Sequence, residues 1–459
     1  MRQVTRPISV LAALTVALLA AGCDAAKPSD PGPGSGANQG PARLYGSDGN
    51  MSSFLGDAFK DRPGALAGMK GTTPLTPLPA EFKKRINAID PGLLDYNYAG
   101  ETYDAIIVAA LAAETARTTD APAVAKYIVG TTVGGSTCTS FKDCAPLVRQ
   151  NENIQYRGVS SLKRSGFTDA GEPSTATYGT LNFGRDNRID DGKTEFVVAG
   201  DESSASRNQP YAPSASPSAS TGNRASRVAP LKFGGLLPRT GALASQGPPM
   251  FAAAKLAIEE INENGGVLGQ PVEWVDGDDG TNPQVASATA DRFLASGVQV
   301  IIGAAASGVS AAVLPKVVAA GRILFSPSAT SDALSRLDDK GLFFRTSPPD
   351  VLQAKALADI VMRDGGARVA VIARDDDYGR GLSTGILTDL TGAGLKAGNI
   401  RVMSYPVKQA YTPGDQNSVF KPLATTVKQF GPDAVVVIGF DESALLIKAL
   451  KDAGQAFQP

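Results

Sequence analysis

The strongest constraint on the fold is a regular alternation of short apolar segments and longer amphipathic segments across residues 229–459. Segments such as "VQVIIG" and "DAVVVIG" are typical of buried strands, and "FAAAKLAIEEINENGG" is typical of a helix that ends in glycine. Strands and helices that alternate in this way form parallel sheets covered on both faces. The run is too long for one sheet, and we expect "RTSPPDV" to cross between two α/β lobes.

Residues 42–200 complement this region. The region 229–459 closes on a helix-like segment, whereas "RLYGS" (43–47) is a strand that follows no earlier unit. "YAGETYDAIIVAALAAETA" predicts a long apolar helix, and "GTLNFGRDNRIDDGKTEFVVAG" predicts a hairpin with a "DDG" turn. When residues 229–459 are placed ahead of residues 42–200, the elements form one continuous two-lobed protein.

A segment rich in serine, alanine and proline, residues 201–228, separates the two regions. Its composition cannot bury enough apolar surface to form a core, so we predict a linker. A flexible chain of this length spans about 30 Å.

The N-terminal residues 1–23 predict a secretory signal, because Arg2 and Arg6 precede a short apolar run. "LAAGC" resembles a bacterial lipobox, although Ala20 stands where leucine is preferred, and it would make Cys23 the lipidated residue. The alternative is an ordinary signal peptide with an incidental cysteine. Residues 24–41 are typical of a flexible tether.

Charge and composition exclude several classes of function. The net charge of −1 offers no electrostatic basis for binding nucleic acid. The sequence has no histidine, which excludes Ser-His-Asp and Cys-His catalysis and histidine-ligated zinc. In an exported protein, Cys138 and Cys144 favour a local disulfide over a metal pair.

Four turns, "YGSDGN", "GAAASG", "SPSAT" and "DDDYGRG", carry a family resemblance. With them, residues 229–459 and 42–200 resemble, in swapped order, the periplasmic solute-binding proteins of the branched-chain amino-acid (Leu/Ile/Val-binding) ABC transporter family. The resemblance implies the type I periplasmic binding protein fold, two parallel-sheet α/β lobes with hinge crossovers, here circularly permuted. An assembly error, an engineered rearrangement and a domain-swapped dimer are the alternatives.

In this arrangement each lobe draws on both regions of the chain. The resemblance implies a lobe one built mainly from residues 229–346 and 98–154, and a lobe two built mainly from residues 347–459, 42–97 and 155–200. Permutation costs little where the original ends are close together and the cut falls in an exposed loop.

The resemblance places the ligand between the lobes, at turns that follow strands, where N–H groups are unpaired. Ser307 would donate to a ligand carboxylate, and Ser328 and Thr330 would face the ligand from the neighbouring turn. Tyr378 would close over the solute. Asp48, between Gly46 and Gly49, would hold its ammonium group. Read from the residues alone, the serines and threonine could be helix caps, Tyr378 a half-buried aromatic residue and Asp48 a turn residue.

Other positions of the pocket concern selectivity. Tyr98 matches a pocket aromatic residue, whereas Gln246 stands in place of one. Ala305 and Ala306 replace bulkier residues, and Asp441 falls near a further pocket position. These differences leave room for a larger or more polar solute than leucine.

The implied function is an extracytoplasmic receptor that binds an amino acid and delivers it to an ABC permease with its ATPase subunits. We expect a lipid-anchored monomer, no cofactor and no enzyme activity. A sensory lipoprotein that signals to a membrane receptor and a binder of amides or urea are the alternatives.

Two short motifs suggest other functions. "SSLK" (160–163) matches the Ser-x-x-Lys pattern of penicillin-recognising enzymes but lacks their companion motifs. "DGDDG" (276–280) suggests calcium, yet it lacks the ligand spacing of an EF-hand and more simply predicts an acidic loop.

Overall fold

The computed structural model describes residues 40–208 and 229–459. The strands are β1 (Arg43–Gly46), β2 (Lys70–Pro74), β3 (Ser136–Cys138), β4 (Ile154–Tyr156), β5 (Thr175–Asn182), β6 (Glu195–Gly200), β7 (Lys232–Leu236), β8 (Glu273–Asp276), β9 (Val300–Gly303), β10 (Ile323–Ser326), β11 (Phe343–Arg345), β12 (Val369–Arg374), β13 (Ile400–Tyr405) and β14 (Ala434–Ile438).

The helices are α1 (Ala80–Ile89), α2 (Ala99–Ala116), α3 (Ala121–Ile128), α4 (Phe141–Arg149), α5 (Gly247–Glu263), α6 (Pro283–Ala295), α7 (Ser307–Ala319), α8 (Asp350–Arg363), α9 (Asp377–Gly392), α10 (Lys421–Phe430) and α11 (Ser443–Asp452). A π-helical turn, Gln416–Phe420, precedes α10.

Lobe one is built on a five-stranded parallel sheet in the order β11-β10-β9-β7-β8. Its central strand β9 is fully buried, as expected for a strand covered by helices on both faces. Helix α2 is buried along almost its whole length and packs against α5, β9 and β10. Helix α2 is apolar on every side because it lies in the interior, which explains its weak amphipathic pattern.

Lobe two is built on a seven-stranded sheet in the order β13-β12-β14-β1-β2-β5-β6. The first five strands are parallel, whereas β5 is antiparallel to both β2 and β6. The sheet is thus mixed, whereas the alternating pattern of the sequence predicted only parallel sheets apart from one hairpin. The hairpin β5–β6 is present, but its sharp turn lies at Gly184–Arg188, and "DDG" forms a separate turn ahead of β6.

Strand β1 joins the two regions of the chain. It lies between β14 and β2, and Arg43 pairs with Ala434 in a parallel register that continues to Gly46 and Val437. Beside it, the Gln458 N–H donates to the Ala42 carbonyl at 2.8 Å. The prediction that "RLYGS" pairs into the lobe that contains residues 434–438 is confirmed.

A small accessory unit carries the two internal cysteines. Strands β3 and β4 pair in parallel, and α4 follows β3 directly. Cys138 and Cys144 are joined in a disulfide whose Cα atoms are 5.3 Å apart. The bridge therefore ties the end of β3 to the first turn of α4.

The predicted signal, the lipidated Cys23, residues 24–39 of the tether and residues 209–228 of the linker lie outside the described residues. Within the two described ranges, no helix is long and apolar enough to cross a membrane.

Candidate functional site

Carboxyl ends of strands from both sheets meet at a small cavity between the lobes. Its volume is about 10 Å³, and it is lined by Asp48, Gly49, Tyr98, Leu243, Gln246, Ala305, Ala306, Ser307, Ser328, Thr330, Tyr378 and Phe440. The structure thus brings together every predicted ligand-binding residue except Asp441. A cavity of this volume holds about one water molecule.

The lobe-one side of the cavity is made of two turns that support each other. The hydroxyl oxygen of Ser307 accepts the N–H groups of Thr330 and Ser331, at 3.2 and 3.1 Å. The hydroxyl of Ser328 donates to the Ala305 carbonyl at 3.3 Å. Ser307 is the first residue of α7, so its own backbone N–H is one that the helix leaves unpaired.

A buried carboxylate that the sequence analysis did not assign to the site holds one of these turns. Asp279 accepts the Ala305 N–H at 2.9 Å and the Thr281 N–H at 2.7 Å. Its burial raises its pKa to about 7. The signal was present in "DGDDG" at the end of β8, which was interpreted as an acidic loop.

The lobe-two side is dominated by Asp48, which is 4% exposed. Its two carboxylate oxygens accept the hydroxyls of Tyr98 and Tyr378, at 2.5 and 2.6 Å. Burial raises the pKa of Asp48 above its ordinary value, and these two hydrogen bonds partly offset the rise. From lobe one, the Gln246 amide donates to the Asp48 carbonyl at 3.0 Å.

The turn that carries Asp48 is held close to strand β14. Asn50 donates to the Val437 carbonyl at 2.9 Å and accepts the Ser47 N–H at 3.0 Å. A Cβ atom at Gly49 would lie 2.5 Å from the Gly439 carbonyl oxygen, so only glycine permits this approach. This role of Asn50 was not predicted from the sequence.

An aromatic pair closes the lobe-two wall. The rings of Tyr378 and Phe440 stack with centroids 5.5 Å apart, and the Arg374 guanidinium lies 3.7 Å from the Phe440 centroid. Arg374 is itself paired with Glu442 at 2.8 Å. Phe440 was not predicted to line the site, although it follows strand β14 as Tyr378 follows β12.

Asp441 lies outside the cavity, beside a neighbouring groove between the lobes. Its carboxylate accepts the Ser245 hydroxyl at 2.7 Å, and its N–H donates to the Ala242 carbonyl at 3.2 Å. Burial raises its pKa to about 6. The residue therefore links the two lobes next to the site.

The motifs that suggested other functions are engaged in local structure. The Ser160 hydroxyl accepts the Leu162 N–H, whereas the Lys163 ammonium donates to the Pro77 carbonyl. Asp278 accepts N–H groups of its own loop and of the loop after β7. Among the described residues, no group of three acidic, cysteine or histidine side chains is arranged to hold a metal.

Residues 230–458 match the family model described as "Periplasmic binding protein". This region of the chain belongs to that family. The two-lobed α/β architecture, with strand ends that meet at a cleft between the lobes, is the type I periplasmic binding protein fold that the sequence analysis predicted.

Curated relatives agree with this family assignment. The chain is 31% identical over 240 residues to "Leu/Ile/Val-binding protein homolog 3" of Brucella melitensis, which covers 51% of this chain and 62% of that protein. It is 32% identical over 228 residues to "Leu/Ile/Val-binding protein BraC3" of Rhizobium johnstonii, and this match covers 49% of this chain and 59% of that protein. The chain therefore spans about three fifths of the curated relatives that it matches.

Among solved structures, the leucine-binding protein LivK of Thermotoga maritima matches with a TM-score of 0.43 and 27% identity. The match covers 49% of this chain and 61% of that one.

Proposed function

We propose that this periplasmic binding protein is an extracytoplasmic receptor for an amino acid, branched-chain or related, and delivers it to the permease of an ABC importer. One observation carries the proposal: a buried carboxylate from lobe two faces a helix N-terminus and unpaired N–H groups from lobe one across a single cavity. This pair of surfaces is complementary to the ammonium and the carboxylate of an amino acid.

In the bound state Asp48 accepts the ligand ammonium, and the hydroxyls of Tyr98 and Tyr378 stabilise the charged form of its carboxylate. The ligand carboxylate accepts hydrogen bonds from the turns of Ser307 and Thr330, and Ser328 faces it from the same lobe. Gln246 and Ala306 border the ligand side chain. A buried hydrogen bond to a charged group contributes about 1.5–3 kcal/mol, so several such bonds suffice for micromolar binding.

The ligand enters by separation of the lobes and selects the closed state because it touches both at once. The contacts that cross the cleft support this mechanism. Gln246 reaches Asp48, Ser245 reaches Asp441, and the Ser331 hydroxyl donates to the Asp377 carbonyl at 3.2 Å. All are single hydrogen bonds between surfaces, which can be broken and remade without unfolding either lobe.

We further propose that the order of elements is a circular permutation of the family order. Lobe one then combines residues 229–346 with residues 98–154, and lobe two takes the rest of the described chain. The pairing of β1 with β14, and the hydrogen bond between Gln458 and Ala42, support this proposal. Residues 201–228 would link the original ends.

The proposed location is the outer face of a membrane, with a lipid anchor on Cys23 and a monomeric receptor domain. The partners would be a permease, which recognises the closed form, and its ATPase subunits. Globomycin treatment of producing cells tests the anchor, because it blocks removal of a lipoprotein signal and not of an ordinary one.

Calorimetric titration of the wild type and of Asp48→Ala with leucine, isoleucine, valine and the other amino acids tests the proposal. We expect the variant to bind tenfold to a hundredfold more weakly, because the ammonium loses its charged acceptor. Asp61→Ala is the matched control, since Asp61 is exposed and close in sequence. Equal affinity of Asp48→Ala and wild type for every amino acid that binds would contradict the site.

A further inference from the structure

A second cavity lies at a crossover of the chain between the lobes. Its volume is about 220 Å³, and residues 75–78, which lead from β2 to α1, form part of its wall. It has no lining residue in common with the cavity that holds the proposed site. Pockets for drug-sized ligands have about 300–1,000 Å³, so this cavity suits a smaller molecule.

The cavity is bounded by elements that are attached to different lobes. On one side lie Leu181 and Phe196, which belong to the strands β5 and β6 of the lobe-two sheet. On another side lies Lys83 of α1. Helix α1 packs against α5 of lobe one, where Arg85 pairs with Glu260 at 2.9 Å. A molecule in the cavity therefore touches parts of both lobes.

Two threonine hydroxyls in the wall of this cavity have no hydrogen-bond partner within residues 40–208 and 229–459. They belong to Thr76, which is 7% exposed, and to Thr194, which directly precedes β6. The large majority of buried polar side-chain atoms have a partner, because an unpaired one carries the full cost of its desolvation. Two unpaired hydroxyls in one cavity wall therefore indicate a ligand that supplies the missing hydrogen bonds.

The rest of the wall indicates the class of this ligand. Apolar side chains such as Leu75 and Leu181 line much of the cavity and suit an apolar body. The charged lining residues are Lys83, Asp95 and Asp191. An anionic group would meet two carboxylates and a cationic group would meet the ammonium, so a neutral polar group fits best. A hydroxyl both donates and accepts, which suits a threonine hydroxyl as its partner.

We propose that this cavity binds a small neutral amphipathic molecule, an apolar body with one hydroxyl group, and that the bound molecule strengthens amino-acid binding between the lobes. The second part of this inference rests on the proposed function, whereas the first part does not.

A short loop connects the second cavity with the proposed site. Asn97 lines the cavity and donates to the Met51 carbonyl at 2.9 Å. The next residue, Tyr98, donates its hydroxyl to Asp48 at 2.5 Å. A molecule that fills the cavity favours the arrangement of lobes and loop in which these bonds are formed. An amino acid that requires the same arrangement then binds more tightly, and by linkage it tightens the binding of the molecule by the same factor.

The first test uses the wild-type protein and four compounds that share one ring. Benzyl alcohol carries the neutral hydroxyl, toluene lacks a polar group, benzylamine is a cation and benzoate is an anion. We expect saturation-transfer NMR titrations at pH 7 to give benzyl alcohol a Kd of about 0.1–1 mM, the range of a ligand of this size. The other three should bind about two- to tenfold more weakly, because they lose or mismatch one hydrogen bond.

The second test removes the unpaired hydroxyl. Thr76→Val keeps the shape of the side chain and breaks no hydrogen bond to residues 40–208 and 229–459. We expect it to weaken benzyl alcohol binding about two- to tenfold while the affinity for toluene stays within about twofold. Thr73→Val is the matched control, because the Thr73 hydroxyl is also buried and unpartnered within those residues but does not line the cavity. The control should leave all four affinities unchanged.

The third test measures the coupling between the two cavities. The amino acid that binds most tightly is titrated by calorimetry with and without a saturating concentration of benzyl alcohol. We expect its affinity to rise about fivefold in the presence of benzyl alcohol, a coupling at the lower end of the usual range. At the same concentration of benzyl alcohol, Thr76→Val should show a smaller rise, because less of the variant has its cavity filled.

The outcomes separate this inference from the proposed function. The site is wrong if the wild type binds none of the four compounds, if it binds benzyl alcohol no better than toluene or a charged compound, or if Thr76→Val weakens benzyl alcohol and toluene equally. Benzyl alcohol that binds without changing the amino-acid affinity overturns the coupling. If no amino acid binds the folded wild type, the proposed function and the coupling are wrong, while the NMR titrations still decide whether the cavity binds its ligand.

Discussion

The two lobes bring opposite chemistry to the same cavity. Lobe one presents backbone N–H groups and small hydroxyls, organised by the hydroxyl of Ser307. Lobe two presents the carboxylate of Asp48, which is held by tyrosine hydroxyls. Backbone dipoles are positioned by the fold itself, whereas a buried charge must be balanced by side chains around it. Substitutions in lobe one should therefore disturb the arrangement of the N–H groups that face the cavity. Substitutions in lobe two should disturb the charge of the Asp48 carboxylate and its hydrogen bonds.

Glu101 is a buried acid of lobe one that lies outside the cavity, so it measures what burial alone does to a carboxyl group in this lobe. It lies one turn after Tyr98 in α2, is 3% exposed, and its pKa is raised to about 8 because burial penalises its charged form. Between pH 4.5 and 8 the unfolded state is ionised while the folded state keeps the proton. As the pH rises through this range, the ionisation of Glu101 should therefore lower the free energy of unfolding of the wild type by up to about 1.4 kcal/mol per pH unit.

Urea denaturation of Glu101→Gln and wild type across this pH window measures the effect. We expect the stability of the variant relative to wild type to rise with pH, since glutamine does not titrate. Glu81→Gln is the control, because Glu81 is exposed on α1. A constant difference between pH 4.5 and 8 would mean that Glu101 is ionised in the folded protein.

Ser307→Ala tests the organisation of lobe one. The change leaves the N–H groups of Thr330 and Ser331 without their acceptor, which costs about 1–3 kcal/mol of folding free energy. We expect ligand affinity to fall about tenfold as well, in titrations like those for Asp48. Ser310→Ala, one turn later, removes a bond to the Ala304 carbonyl and should lower stability alone. If Ser307→Ala and Ser310→Ala bind the ligand with equal affinity, Ser307 does not organise the turns that bind it.

Tyr378→Phe should have the smallest effect. It removes a hydroxyl that lies 2.6 Å from Asp48 and keeps the ring that stacks on Phe440. We expect a loss of about 0.5–1.5 kcal/mol in ligand binding, because one hydrogen bond to the carboxylate is missing. Tyr45→Phe, which removes a buried hydroxyl bonded to Asp364, controls for the loss of any buried phenol. A larger loss than in Asp48→Ala would show that Tyr378 contacts the solute more strongly than the carboxylate does.

Much of the fold and part of the site could be predicted from the sequence because they follow from local rules. The alternation in residues 229–459 identifies strands such as β9 and β14, since a buried parallel strand is apolar over a short run. The turns at Ser307 and Asp48 also follow such strands, but their role in ligand binding was implied by the family resemblance. Asp441 was assigned through the same resemblance, yet it lies beside the neighbouring groove, because the side chain of Phe440 occupies the cavity wall instead.

By itself, the sequence determined the two α/β lobes and the pairing of "RLYGS" with the lobe that contains β14, and its resemblance to a known family implied the set of turns that meet at the cleft. Periodicity and strand-end position are local properties, so they are legible without coordinates. Only the tertiary structure decided which acids are buried and which of those have partners. Asp279 supports a turn and Asp48 accepts two hydroxyls. That distinction depends on what packs around each carboxylate from distant parts of the chain, which no local pattern records.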